Sequence, residues 1–551
     1  MKRFISFITA LFIITTAKAQ DVDTTKTILR TNVNHISLFL DGKPLQGGWL
    51  VMYGDNVDPL DTKAREIVFA SDIDTLAITL ERWQSKDFTI VSGNGEKAPI
   101  RVTRISENIY EYPNPELLKR SPNGLLSRNQ AAFDLNALIY GLSEIHPGLF
   151  SVCRQTDFFR AVNHAIKTLP DSISTTDLYR TAAPIVAMIG DGHTNLAFPF
   201  NDLFTAGLKR MPLRVHVASD KSIICRTSPD SIIPYGARII SINGISAEAM
   251  VNTMLPYVAG EKEAFKIARA DKIFPALYQL LYPADTFEVV YLPVGGKKPM
   301  SVTYPAMTSG DAQMRSPALP KANIQAPYSF TTDKKRNVAV MDFREFKDKV
   351  RMEAFADSMF RELRNQQIGN LIIDLRQNGG GNSAVGEVLL RYISHVPFTQ
   401  MDKALIRISP LTKKLIEKEG EGNLQPGFLF YETEEGMYTQ PLTPEEGHYQ
   451  GHVYLLTSNI TFSSASSFAW VFKECGMGKV IGEETGGMNV SYGDILDYRL
   501  PVSGLHCTIS FKRFWQFHAN EESIHGTIPD VQVPAADALD KALKLIKSTN
   551  N

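Results

Sequence analysis

The sequence predicts a multidomain α+β protein that ends in an α/β core built on a partly parallel sheet. Three observations carry this expectation. At 551 residues the chain is longer than one hydrophobic core usually organises. Its apolar pattern changes from strand-like alternation to helical spacing near Asn129. Its last third alternates apolar strands with amphipathic helices, as crossover units on a sheet covered on both faces do.

Residues 1–19 read as a secretory signal peptide: basic Lys2 and Arg3, an apolar run from Phe4 to Ile14, then Ala17-Lys18-Ala19 as the cleavage triplet. The run is short for a membrane span, and no later stretch is long and charge-free enough for one. An exported protein, periplasmic or secreted, is expected, with a retained N-terminal anchor as the alternative. Residues 20–115 carry short apolar runs such as HISLFLDG and TLAITLERW between Gly, Asp and Asn, the pattern of a β-rich accessory domain. Residues 125–200 turn helical, with AAFDLNALIYGLSEI, DFFRAVNHAIKTL and TTDLYRTAAPIVAMIG, and Thr175-Thr176-Asp177 supplies a helix start. This segment delivers the chain to Gly190-Asp191-Gly192-His193-Thr194. Residues 208–305 alternate strands and helices on a small scale. The run from Tyr235 to Gly244 reads as a strand closing on the Asn243-Gly244 turn before an amphipathic helix, which resembles a peptide-docking PDZ module and is also a common strand-turn-helix. Residues 325–547 form the α/β core, where VAVMDF, NLIIDLR, HVYLLTS and KVIGEE read as buried strands. Ligands in such sheets sit beyond the carboxyl ends of the strands.

Composition narrows the function. With 44% hydrophobic and 21% charged residues the chain is neither disordered nor fibrous. A net charge of -1 offers no field to gather nucleic acid. Four cysteines, Cys153, Cys225, Cys475 and Cys507, lie far apart without a CxxC pair, and no HExxH pair occurs among the histidines. That excludes a disulfide scaffold and a zinc-finger site, while one or two bridges and four buried thiols both stay open.

Two loops beyond strand ends can carry chemistry. After HVYLLTS comes Thr457-Ser458-Asn459-Ile460-Thr461-Phe462-Ser463-Ser464-Ala465, rich in hydroxyls. A serine between a buried strand and a helix exposes its hydroxyl beside the positive end of the helix, a good seat for a nucleophile; a serine there also makes an ordinary helix cap. After NLIIDLR comes Gln377-Asn378-Gly379-Gly380-Gly381. Three glycines let the backbone aim amides at an anion, or simply make a tight connection; no Gly-Lys-Ser/Thr follows to make a phosphate loop.

Taken together, DLRQNGGG, TFSSASSFA and VIGEETGG, in that order, resemble the catalytic core of the tail-specific protease superfamily, the C-terminal-processing and tricorn-core serine peptidases. The resemblance spans about residues 129–533. It implies a ClpP/crotonase-like core, a peptide or unfolded-protein substrate, and no metal or organic cofactor. It places the nucleophile on Ser463, with Ser464 one register away, and the oxyanion donors on the amides of Gly380 and Ser464, with Gly379 and Gly381 as alternates. One branch of the family uses a Lys after the Gly-Glu-x-Thr-x-Gly stretch, where this chain has Met488; the other uses a His before the PDZ-like segment, matched by His193. Imidazole suits the role because it titrates near neutrality. The late acidic residue of that branch falls nearest Glu522, with Glu521 second, one position out of register, so two solvated surface carboxylates are the competing reading. The accessory Ser expected beside the His is replaced by Gly192. The implied activity is endo- or carboxy-terminal-directed peptide hydrolysis. The missing Lys and Ser motivate a rival, a catalytically inactive peptide-binding or ligand-binding protein of the same fold; a lipase-like hydrolase lacks a GxSxG elbow.

Overall fold

The computed structural model describes residues 124–200, 208–317, 326–409, 411–412 and 437–549, together with the backbone of the strands at 34–106 and 429–433. The expected leader at 1–19 lies outside the described residues. The chain divides into two compact units. The first takes in Met1–Ile189, Arg407–Leu429 and Leu496–Ile509, the second Gly190–Ile406, Phe430–Ile495 and Ser510–Asn551.

In the first unit, strands β1 (Asn34–Leu40), β2 (Lys43–Pro44), β3 (Trp49–Val51), β4 (Ser85–Val91) and β5 (Lys97–Ser106) pair antiparallel in the order β2-β1-β5-β4, with β3 on β1. Helices α1 (Arg128–Ile145), α2 (Gln155–Lys167) and α3 (Thr175–Ala187) follow, with the short pair β6 (Leu126–Ser127) and β7 (Ser172–Ile173). Ser127 and Gln130 form a reciprocal capping box on α1, and Ser174, one residue before the expected start, caps α3 by accepting from Asp177 N–H. Asp134 on α1 is fully buried, and its two oxygens accept from the amides of Val502 at 2.8 Å and Ser503 at 2.6 Å. Buried Arg407 donates to the His146 carbonyl at 2.8 Å.

The second unit holds two sheets that matter for the site. Its first part, after β8 (Asn195–Leu196), contains β9 (Arg214–Val217), β10 (Ile223–Thr227), β11 (Arg238–Ile242), β12 (Ile245–Ser246), α4 (Ala247–Met254), α5 (Glu263–Leu281), β13 (Thr286–Leu292) and β14 (Met300–Pro305). The strands run in the order β14-β13-β11-β10-β9, with β12 on β11, around a core that includes Ile239, Met250, Phe274 and Val289. Asn243 and Gly244 both have positive φ, 49° and 76°, the geometry of the tight two-residue hairpin turn that Asn-Gly favours.

The α/β core follows as β15 (Tyr328–Asp333), β16 (Val338–Phe343), α6 (Lys349–Asn365), β17 (Asn370–Asp374), α7 (Ser383–Ile393), β18 (Met401–Arg407), β19 (Leu429–Thr433), β20 (His452–Thr457), α8 (Ser464–Glu474), β21 (Lys479–Gly482), β22 (Val490–Arg499), β23 (His506–Gln516), β24 (Val531–Gln532) and α9 (Ala538–Thr549). The main sheet runs β15-β16-β17-β20-β21-β24; only β15 is antiparallel, so the sheet is largely parallel. Its strands are apolar on both faces because both are covered. Leu371, Ile373 and Leu455 pack with residues of α6, α7 and α8, while Ile372, Leu456 and Ile481 pack with Ala542 and Ile546 of α9. The loops that follow β17 and β20 therefore open at neighbouring carboxyl ends of the sheet. A second sheet pairs β18 with β23, from Met401 opposite Gln516 to Ile406 opposite Lys512.

All four cysteines are free thiols; burial pushes Cys153, Cys225 and Cys475 up to about 11, well away from thiolate chemistry. Among the described residues no helix is long and apolar enough to cross a membrane.

Candidate active site

Ser463 sits between β20 and α8 with φ 54° and ψ -133°, a conformation a non-glycine residue adopts only under constraint. The constraint is visible. Thr461 Oγ1 donates to the Leu375 carbonyl, Ser458 Oγ to the Arg376 carbonyl, and Phe462 N–H to the Asn378 carbonyl, tying the turn to the glycine loop. The amides of Gly486 and Gly487 donate to the Thr461 carbonyl from the other side. Ser463 caps no helix amide with its side chain, so the simpler use of a serine here is not the one made. Ser464 Oγ, by contrast, donates to the Gly381 carbonyl at 2.6 Å. Of the two adjacent hydroxyls, Ser463 is the uncommitted one.

The glycine loop reaches the same point. A Cβ built on Gly380 would lie 2.7 Å from Ser463 Cβ and 2.9 Å from the Ser464 amide nitrogen, and Gly380 has φ 100°, so only glycine lets the two loops close on each other. The Ser464 amide is the first of α8 and has no acceptor within the helix. The Gly380 amide donates to the side-chain oxygen of buried Asn378 at 2.8 Å, while Gly379 and Gly381 are exposed beside it.

His193 enters from the loop after α3. Its ring lies 4.5 Å, centroid to centroid, from that of Phe462, the residue before Ser463. Phe462 also stacks on Phe265 of α5 at 4.3 Å. The loop is shaped by fully buried Asp191, whose Oδ1 accepts from the His193 amide at 2.9 Å and whose Oδ2 accepts from the Thr194 amide at 3.0 Å and from Ser510 Oγ at 2.6 Å. His193 Nδ1 is 3.8 Å from Asp191 Oδ1. Gly192 explains the absent accessory serine: a Cβ there would meet the Phe462 ring at 2.7 Å and the Phe265 ring at 2.8 Å. Aromatic packing occupies the space that hydroxyl would need.

The two candidate acidic residues lie on an exposed turn. Glu522 and Glu521 are exposed on a turn that Asn520 closes by accepting from the Glu522 and Ser523 amides, and Glu521 pairs with Arg513 at 3.3 Å. The carboxylates that accompany His193 are Asp191 and Glu261, the latter just before α5; one ligand-type atom of each of the three lies within 4.8 Å of the others, the one such grouping among the described residues. Both Asp191 oxygens are already spent on hydrogen bonds, so the trio reads as a loop brace with a charge partner rather than as a cation cage. Burial first, and the Asp191 charge second, push the Glu261 carboxyl up to about 7, with His193 pulling it back down. Asp191 lies inside the GDGHT motif, where His193 alone was singled out, and nothing in the local pattern singles out Glu261.

Arranged this way, an uncommitted serine hydroxyl, an imidazole braced on the adjacent aromatic ring and backbone amides at a helix start can perform acyl transfer without a metal. Residues 337–533 match the model of peptidase family S41. Among solved structures, mature CPAF complexed with lactacystin is 15% identical, covering 76% of this chain and 97% of that one at a TM-score of 0.53. Mature CPAF alone is 14% identical, covering 76% and 96% at 0.51. At such identities these likenesses speak to the fold. Fold, motif order and family match agree: the core at residues 337–533 is similar to peptidase family S41, and the match supports a serine-type peptidase.

Proposed function

We propose that this is an exported peptidase that hydrolyses peptide bonds in peptides or unfolded proteins through an acyl-enzyme on Ser463. A ring nitrogen of His193 takes the Ser463 Oγ proton as Oγ attacks the scissile carbonyl. The oxyanion is held by the Ser464 amide and by one amide of the glycine loop, where Gly380 lies against the turn and shares its N–H with Asn378 Oδ1. The imidazolium returns its proton to the leaving amine, and water, deprotonated by the same ring, releases the acyl group. The β-rich segment at 208–305 serves as a PDZ-like substrate module in this reading. The observation that carries it is the contrast at 463–464: two adjacent hydroxyls, one tied to a carbonyl and one left uncommitted on a strained turn beside the glycine loop, with the His193 ring packed on the preceding Phe462.

Incubating an unfolded protein with the mature chain and with Ser463→Ala, then reading the products by mass spectrometry, tests it. Cleavage that disappears in the variant supports the assignment, and substrates with blocked carboxyl termini separate internal cleavage from C-terminal-directed cleavage. Cleavage that persists in Ser463→Ala and in His193→Ala overturns it.

A further inference from the structure

Glu261 is part of the 208–305 segment, yet its side chain belongs with the catalytic loop. Oε1 accepts from the Gly192 amide at 3.1 Å. Arg269 of α5 donates to the Gly192 carbonyl at 2.6 Å, so Glu261 and Arg269 hold Gly192 at both its amide and its carbonyl, directly before His193. Oε2 makes no hydrogen bond and is shut off from solvent. A buried carboxylate oxygen without a donor is unfavourable unless a charge faces it. The neighbours are informative. Lys262, next in sequence, turns away to pair with Glu484, Arg269 is committed to carbonyls, and the Ser510 hydroxyl is committed to Asp191. Of the surrounding groups, His193 is the one whose charge changes during the reaction, and Asp191 is the one that repels Glu261.

We propose, resting on the reading of His193 as general base, that Glu261 is its positioning residue, pinning the Gly192 peptide and supplying the counter-charge against which the imidazolium forms. A Ser-His pair ordinarily relies on an acid bonded to the far ring nitrogen. Here the sequence carries that charge on a different segment, 68 residues beyond His193. The raised Glu261 carboxyl fits this role, because it gains its charge near neutrality, where the base must work.

The test uses the full mature chain, reading both peptide turnover and the rate of covalent labelling by a fluorophosphonate, from about pH 5 to about pH 9, in wild type, Ser463→Ala, Glu261→Gln and Glu261→Ala. Gln keeps an acceptor for the Gly192 amide and removes the charge; Ala removes both. The expected result is that Glu261→Gln lowers kcat and labelling by about tenfold or more with KM within about twofold, and moves the rising acid limb to lower pH, since loss of a negative neighbour lowers the imidazole pKa. If Glu261→Gln keeps the wild-type kcat and pH profile while Glu261→Ala loses activity, Glu261 only pins the backbone and the proposal falls. Should Glu261→Ala fail to fold, Glu261→Gln alone decides. Labelling that persists in Ser463→Ala would instead overturn the site assignment, whatever Glu261 does.

Discussion

Asp134 and Glu261 are both acids enclosed by their own units, and they are enclosed for opposite ends. Each oxygen of Asp134 meets a backbone amide, at 2.8 and 2.6 Å, and the pair fixes the 500–505 turn. Glu261 spends one oxygen on Gly192 and keeps the other bare beside Asp191 and His193. A buried carboxylate with each oxygen held by a fixed donor is a brace. One with an oxygen left over, facing a group that changes charge, is held ready for a reaction.

The largest effect separates the site from everything that braces it. Ser463→Ala should abolish turnover by at least about 10⁴-fold while leaving thermal unfolding cooperative, measured by peptide cleavage and calorimetry. Asp134→Ala should cost about 2–4 kcal/mol of stability, because it strands two buried amides, with turnover per folded molecule unchanged; denaturant titration read beside active-site titration checks both halves. Between those acids the pH dependence of stability differs in sign from the usual carboxylate case. Glu261 is raised from 4.5 to about 7 in the folded chain, so its contribution is present below about 4.5 and is lost as pH rises through about 7. Melting temperature should therefore decline across that window in wild type more than in Glu261→Gln, and parallel declines would deny the shift. The smallest effect is expected at the carboxylate that the family pattern favoured: Glu522→Gln should keep kcat/KM within about twofold, since an exposed side chain on a solvated turn contributes little. A loss of tenfold or more there would return the acidic role to that turn.

Much of the scaffold was legible because it is written in local pattern. Continuous apolar strands in the last third forecast a sheet covered on both faces, and Asn243-Gly244 forecast its turn. The two loops were legible because their glycines and hydroxyls are contiguous, though only geometry shows that Ser464 is committed to Gly381 and Ser463 is not. Glu261 was hidden by its surroundings. Glu261-Lys262-Glu263 looks like a solvated charged run, and the partner that gives the first of these residues its meaning is 69 positions away. Gly192 misled in a different sense: read as a missing hydroxyl, it is the vacancy into which Phe265 and Phe462 pack.

The backbone at residue 463 has a practical consequence for anyone wishing to capture what this enzyme cuts. Alanine removes the hydroxyl yet inherits the left-handed φ of 54°, which costs a residue with a Cβ about 1–3 kcal/mol. Glycine removes the hydroxyl and the torsional penalty together. An inert bait built as Ser463→Gly would thus be sturdier than the customary alanine, and better suited to retaining an uncleaved peptide long enough to identify it.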